Sequence, residues 1–186
     1  MKVTILNGLE ETNIIYRTIT EQLRKRDCFL HSFTLKEIEV AGCYGCFGCW
    51  IKTPGICVIN DAGRDIAKAV IGSGLTVILS PVTFGGYSYH IKKALDRLIP
   101  LISPLFMNIH GEIHHKPRYR KYPRLLAIGV SPREDNESQE IFKIMLERNA
   151  INLHAPAWDA EVITENLSSE QIDNCIGKML SVLEVI

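Results

Sequence analysis

Apolar residues fall along this chain in two alternating rhythms, short runs and longer stripes at three- and four-residue spacing. Residues 3–6 form the first short run and predict a strand; Ile15, Ile19 and Leu23 follow at the four-residue spacing of an amphipathic helix. A weaker strand is expected at residues 29–33. Beyond a cysteine-bearing segment, Asp61 is placed to cap a helix that turns Ile66, Ala69 and Val70 toward a core. Residues 75–79 make an apolar run rich in β-branched side chains, the mark of a strand covered on both faces of a parallel sheet. Ile91, Leu95 and Leu98 stripe the next helix, residues 125–130 read as a fourth strand, residues 137–149 as a fourth helix, and a fifth strand falls between residues 152 and 163. Ser168 and Gln171 then form a capping box for a last helix carrying Ile172, Ile176, Met179 and Leu183.

Strands and helices that alternate in this way point to an α/β fold, because parallel neighbours need crossover connections. Five strands suit a flavodoxin-like three-layer sandwich, a five-stranded parallel sheet of order 2-1-3-4-5 with helices on both faces, and residues 1–186 read as one such domain. Ligands in such sheets sit beyond the carboxyl ends of the strands near the point where strand order reverses. That directs attention to residues 7–12, 81–88 and 131–136. Residues 99–123, rich in proline and histidine, read as a long excursion without regular structure, of the kind that serves function or a partner contact.

Hydrophobic residues make up 46% and charged ones 23% of the chain, the composition of an ordinary globular protein. The 21 basic residues balance the 21 acidic ones, so no global field attracts nucleic acid or an anionic membrane. The opening apolar run is too short for a signal peptide and no stretch reaches the length of a membrane span, which makes the cytoplasm the expected location. Of six cysteines, four fall between residues 43 and 57. In a reducing compartment such clustering suggests a metal, a cluster or redox chemistry before a disulfide framework. Cys28 and Cys175 stand apart in apolar periodic segments and read as buried small hydrophobes.

Two loops carry equipment for a cofactor. Ser80 to Ser88 combines hydroxyls, a proline, an aromatic residue and two glycines whose backbone admits close approach, which suits a flat heteroaromatic ring. In the first loop Asn7, Gly8, Thr12 and Asn13 are placed to meet a phosphate at a helix N-terminus. Glu10 and Glu11 suit the helix dipole but oppose a phosphate, so a self-capped helix needing no ligand is the competing reading. Cys43, Cys46, Cys49 and Cys57 form CxxCxxC with a fourth cysteine beyond seven further residues, interleaved with Gly42, Gly45, Gly48 and Gly55. Spacings this tight let thiolates converge on zinc or an iron-sulfur cluster; thiol redox chemistry and unliganded buried thiols stay open beside these.

Ser80-Pro81-Val82-Thr83-Phe84-Gly85, residues 91–97 and the segment from Cys43 to Asp61 resemble the NADPH-dependent FMN reductase and iron-sulfur flavoprotein family, whose members are flavodoxin-like. The resemblance implies that Pro81, Val82, Thr83, Phe84, Gly85 and Gly86 contact the isoalloxazine and ribityl parts of FMN. It implies NAD(P)H as electron donor, a flavin, quinone or small electrophile as acceptor, and a homodimer or homotetramer in which a neighbour helps to close the flavin site. It further implies a 4Fe-4S cluster on the four cysteines that exchanges electrons with FMN. The flavin would carry the chemistry without a side-chain acid or base. The first loop departs from the family's glycine- and serine-rich run with an arginine, and that departure motivates an alternative from another class, a non-catalytic electron carrier or binding protein with a structural or redox cysteine cluster.

Other chemistry-bearing residues have plainer roles open to them. His110, Glu112, His114 and His115 invite a metal but read better as a hydrated or interface loop. Lys116, Arg118, Arg120, Lys121 and Arg124, interleaved with Tyr119 and Tyr122, would suit the 2′-phosphate of NADPH or a solvated subunit edge, and the edge is preferred. Asp96 and Arg97 read as a helix-end charge pair, and Trp50 and Trp158 as packing residues, with Trp50 placed to shield a cofactor beside the cysteines.

Overall fold

The strand expected at residues 75–79 is buried along both faces, and the sheet grows outward from it in both directions. The computed structural model describes residues 1–185. In chain order the elements are β1 (Lys2–Asn7), α1 (Ile14–Lys25), β2 (Phe29–Thr34), α2 (Gly48–Ile51), α3 (Ala62–Ile71), β3 (Leu75–Thr83), β4 (Gly86–Tyr87), α4 (Tyr89–Asp96), β5 (Ile102–Ile109), β6 (Glu112–Pro117), β7 (Arg124–Ser131), α5 (Asn136–Asn152), β8 (Trp158–Thr164) and α6 (Ser169–Val182). The parallel strands lie in the order β2-β1-β3-β7-β8, which is the 2-1-3-4-5 arrangement expected of a flavodoxin-like fold. Register runs from Val3 opposite Leu75 to Asn7 opposite Leu79, and from Leu75 opposite Arg124 to Pro81 opposite Val130.

Successive strand residues point to opposite faces, so each strand feeds two cores. Ile5, Val77, Leu79 and Ile128 pack with Ile19 and Leu23 of α1 and Ile176 and Leu180 of α6. Leu6, Ile78 and Ala127 pack on the other face with Ile66 of α3, Ile91 of α4 and Phe142 and Leu146 of α5. Asp61 caps α3 and Ser168 with Gln171 forms a capping box on α6, as the sequence placed them, while Asn13, a phosphate candidate in the sequence, caps α1. Within α3 the buried face is Ile66, Ala67 and Val70, with Ala69 half-buried.

Two expectations need correction. Residues 81–88 are not a loop throughout: β3 continues to Thr83 and turns back at once into β4, which pairs with it antiparallel. Residues 99–123 are not irregular either; after a 3-10 turn at Ile99–Leu101 they form the antiparallel hairpin β5–β6, with Asn108 opposite Ile113 and Ile109 opposite Glu112. The hairpin escaped notice because its core partners are few. Leu105, Phe106 and Ile113 are exposed, so neither strand shows the in-out alternation that marks a half-buried sheet. Among the described residues, no helix is long and apolar enough to cross a membrane.

Candidate functional site

The sheet reverses its winding between β1 and β3, and the carboxyl ends of those strands meet the N-terminus of α4 there. Asn7 closes β1 and is fully buried; its Oδ1 accepts the Leu9 N–H at 3.0 Å. Its Nδ2 is buried without a hydrogen-bond partner among the described residues, and so is the Oγ of Ser88, the residue that precedes α4. Buried donors without partners are uncommon in native proteins and mark places where a ligand or water completes the set. Gly8 lies between them: a Cβ there would stand 2.9 Å from the Leu79 carbonyl and 3.2 Å from Ser88 Oγ.

The rest of the first loop is occupied with itself. Gly8 N–H donates to Leu79 O at 2.8 Å, Asn13 N–H to Glu10 O at 3.0 Å, and Ile15 N–H to Asn13 Oδ1 at 2.9 Å, while Leu9 is buried in the core. Both carboxylates are drawn toward the end of β2. Lys36 donates to Glu10 at 2.6 Å, and Thr34 Oγ1 donates to Glu11 at 2.8 Å. Thr12 is exposed. The third loop is likewise self-bonded, with Ser131 Oγ donating to Arg133 O at 2.7 Å and Asp135 capping α5.

The β3–β4 turn contains only Phe84 and Gly85, at φ 50° and 73°. Two central residues at positive φ define the type I′ hairpin, which takes Asn, Asp or Gly at its first position; a phenylalanine there is strained. Phe84 is also fully exposed, so no packing inside this chain repays the strain. Below the tip the hairpin is fixed. Ser80 Oγ accepts the Ser88 N–H and donates to Pro81 O, both at 2.8 Å. Tyr87 stacks edge-on against Phe142 at 5.3 Å and accepts from Asn149 at 3.2 Å; burial pushes its phenol up to about 12 despite that bond.

A second centre lies beyond the C-terminal end of α4. Cys43, Cys46, Cys49 and Cys57 all line one cavity of about 310 Å³, together with Tyr44, Phe47, Trp50 and Arg97. The short helix α2 buries Cys49, whereas Cys43 and Cys46 are exposed and Cys57 is half-buried. Burial raises the Cys49 thiol, and its neighbours Cys57, Cys43 and Cys46 add to the effect. Among the described residues no three His, Cys, Asp or Glu side chains gather closely enough for one ion. Four thiolates on a single zinc stand about 3.8 Å apart by tetrahedral geometry, whereas a 4Fe-4S cluster takes each thiolate on a different iron and needs a volume between them.

Around this cavity the backbone is gripped by arginines. Arg64 donates to Cys57 O at 2.7 Å and Val58 O at 3.1 Å. Arg97 turns inward to Asp61 instead of pairing with Asp96, which corrects the expected helix-end pair; Asp96 is bonded to Lys92 at 2.5 Å. Burial opposes the Asp61 charge, but Arg97 and the amides of Ala41 and Gly63 outweigh it and hold the carboxyl below its usual range. Arg97 and Asp61 lie 36 residues apart, and no local pattern links them. Trp50 packs as expected, between Phe47 at 5.4 Å and His115 at 4.9 Å, and its indole donates to Ile102 O at 3.0 Å.

The remaining candidates have structural partners. Glu112 accepts from Arg148 and from His114, whose other ring nitrogen faces Asn152 at 2.9 Å, so these residues clamp β6 to α5. Within the basic run Arg118 donates to Pro100 O at 3.0 Å and Arg124 to Glu184 at 3.3 Å. Cys28 is buried as expected and Cys175 is half-buried against the core.

No family model matches the chain. It is 30% identical over 105 residues to an iron-sulfur flavoprotein of Methanocaldococcus jannaschii, a match covering 54% of this chain and 53% of that protein, so the chain spans about half the length of the curated relative it matches. Among solved structures it is similar to an NAD(P)H:quinone oxidoreductase from Methanothermobacter marburgensis, with a TM-score of 0.71 at 10% identity, covering 99% of this chain and 97% of that one. It is similar also to an FMN-dependent NADH-azoreductase of Bacillus anthracis in complex with FMN, with a TM-score of 0.66 at 14% identity over 99% and 95% of the two chains. At these identities the likeness establishes the fold, and the fold is flavodoxin-like.

Proposed function

We propose that this chain is an FMN-dependent NAD(P)H oxidoreductase acting on a flavin, quinone or other small electrophile, with a cysteine centre of the 4Fe-4S type as electron relay. The observation that carries the flavin is the pair of buried, unpartnered groups, Asn7 Nδ2 and Ser88 Oγ, at the strand ends where this fold places ligands. Strain at the fully exposed Phe84, at the tip of the hairpin that leads into Ser88, supports it, since strained positions cluster where a ligand must be met. The structural neighbours' names describe reductases of quinone, FMN and azo compounds, and the curated relative is named an iron-sulfur flavoprotein.

When bound, the flavin supplies the chemistry, accepting hydride from NAD(P)H and releasing electrons to an acceptor. The chain's residues position it. Pro81, Val82, Thr83, Phe84, Gly85 and Gly86 would hold a flat ring, and Asn7 Nδ2 with Ser88 Oγ would supply hydrogen bonds to a group admitted between them. Gly8, Thr12 and Asn13 stand at the N-terminus of α1 for the phosphate, and Lys36 offsets the charge of Glu10 there. Cys43, Cys46, Cys49 and Cys57 would hold the cluster beyond the C-terminal end of α4, whose eight residues span about 12 Å. Six free cysteines suit a reducing cytoplasm, and the exposed Leu105, Phe106 and Ile113 of the β5–β6 hairpin suit assembly as a homodimer or homotetramer.

The second reading is an electron carrier or binding protein without turnover, and the self-bonded first loop favours it. One preparation separates the two. Anaerobically purified protein is expected to show flavin absorbance between about 300 and 700 nm and to oxidise NADPH in the presence of a quinone. Colourless protein whose melting temperature ignores added FMN overturns the flavin reading, and coloured protein without NAD(P)H oxidation selects the carrier.

A further inference from the structure

The cysteine-bearing segment departs from the fold at Ala41 and rejoins it at Ile59, and one side chain holds both points. Arg97 donates to Ala41 O at 2.9 Å and to Ile59 O at 3.3 Å. Its side chain is fully buried, and both of its terminal nitrogens donate to Asp61, at 2.8 and 2.7 Å. Asp61 also accepts the Ala41 N–H at 2.8 Å and the Gly63 N–H at 3.0 Å, so the same carboxylate closes the segment and starts α3. A Cβ on Gly63 would stand 3.0 Å from the guanidinium carbon, which is why this turn carries glycine.

A buried ion pair is a poor device for stability alone, because desolvation offsets most of its attraction and apolar residues of similar volume serve as well. Its Arg97 member lines the cavity that the four cysteines also line. We propose that Arg97 is the positioning residue of the cysteine centre: held by Asp61, it ties the two ends of the segment together so that four cysteines face one volume, and it sets a fixed positive charge beside the anionic centre they form. The charge effect rests on the cluster reading above, whereas closure of the segment is a property of the metal-free chain.

The test compares the natural chain with Arg97→Met, Arg97→Lys and the double variant Asp61→Asn, Arg97→Met, in which no charge is left unpaired. Each is reconstituted anaerobically with ferrous iron and sulfide, and its metal-free form is followed by hydrogen exchange of the amides of residues 41–60. The expectation is at least about tenfold faster exchange in the segment for both methionine variants, and at least about fivefold less iron per chain, with Arg97→Lys between. Where iron is retained, loss of the charge in Arg97→Met lowers the midpoint potential of the centre, whereas Arg97→Lys, which keeps the charge, leaves it near that of the natural chain. A double variant that melts like the natural chain, protects residues 41–60 and loads iron fully, together with an Arg97→Met variant of unchanged potential, overturns the proposal. Should the natural chain load no iron, the cluster reading fails by itself; exchange then decides, faster exchange sustaining the closure role and unchanged exchange ending it.

Discussion

Phe84 occupies a backbone position that its side chain opposes. At φ 50° in a two-residue hairpin, asparagine or glycine would lie without strain, and the ring is fully exposed. Phe84→Asn is therefore expected to stabilise the fold by about 1 kcal/mol, the order of the penalty for a left-handed L-residue, read as a higher midpoint in chemical denaturation. If the ring contacts the isoalloxazine, the same change weakens flavin binding about tenfold, the order of one aromatic stacking contact, read by fluorescence quenching. A variant that gains stability and keeps its flavin affinity would remove Phe84 from the site. The sequence marked this residue by its place between Thr83 and two glycines. Its strain was not visible there, because φ is set by pairing of β3 with β4.

At the scale of elements, the β5–β6 hairpin is held by charge more than by burial. Glu112 accepts from Arg148 and His114, and Arg148 first and His114 second hold its carboxyl down to about 2, against an ordinary 4.5. A depressed carboxyl contributes stability that is complete above its unfolded value and is lost as pH falls through the folded one. The clamp should therefore loosen between about pH 4.5 and 2. Trp50 reports this, since its indole donates to Ile102 at the start of β5 and its ring meets His115 on β6. In a Trp158→Phe background its emission should shift across that window, and Glu112→Gln should flatten the transition. An identical acid transition in both chains would mean that the hairpin is not docked through Glu112. The alternating helices and parallel strands were legible because each buries a periodic face, whereas this hairpin takes its order from contacts with α5 some forty residues further on.

Across the whole molecule, the alternation of elements followed from local periodicity and the strand order from the flavodoxin-like fold it suits, but the two sites were legible unequally. The cysteines announced themselves by spacing. What closes their cavity, Asp61 with Arg97, joins residues from two different crossovers and has no signature in either. The first loop shows the opposite failure: Glu10 and Glu11 argued from sequence against a phosphate, yet the fold brings Lys36, at the end of another strand's turn, onto Glu10 at 2.6 Å. On the proposed flavin site, the choice between FMN and riboflavin is expected to turn on Lys36. With Lys36 in place the N-terminus of α1 carries one compensated and one hydroxyl-bonded carboxylate, and its dipole and amides favour the phosphate, so FMN should bind about tenfold more tightly than riboflavin. Lys36→Met leaves Glu10 uncompensated beside that phosphate and should bring the two affinities close to parity by weakening FMN alone. At a hundredfold excess over its dissociation constant, FMN should raise the melting temperature of the natural chain by about 5–10 °C, which gives the affinities without an activity assay. Equal binding of both flavins by the natural chain would place the phosphate outside this loop, and an unchanged preference in Lys36→Met would leave the Glu10 pair without a part in recognition.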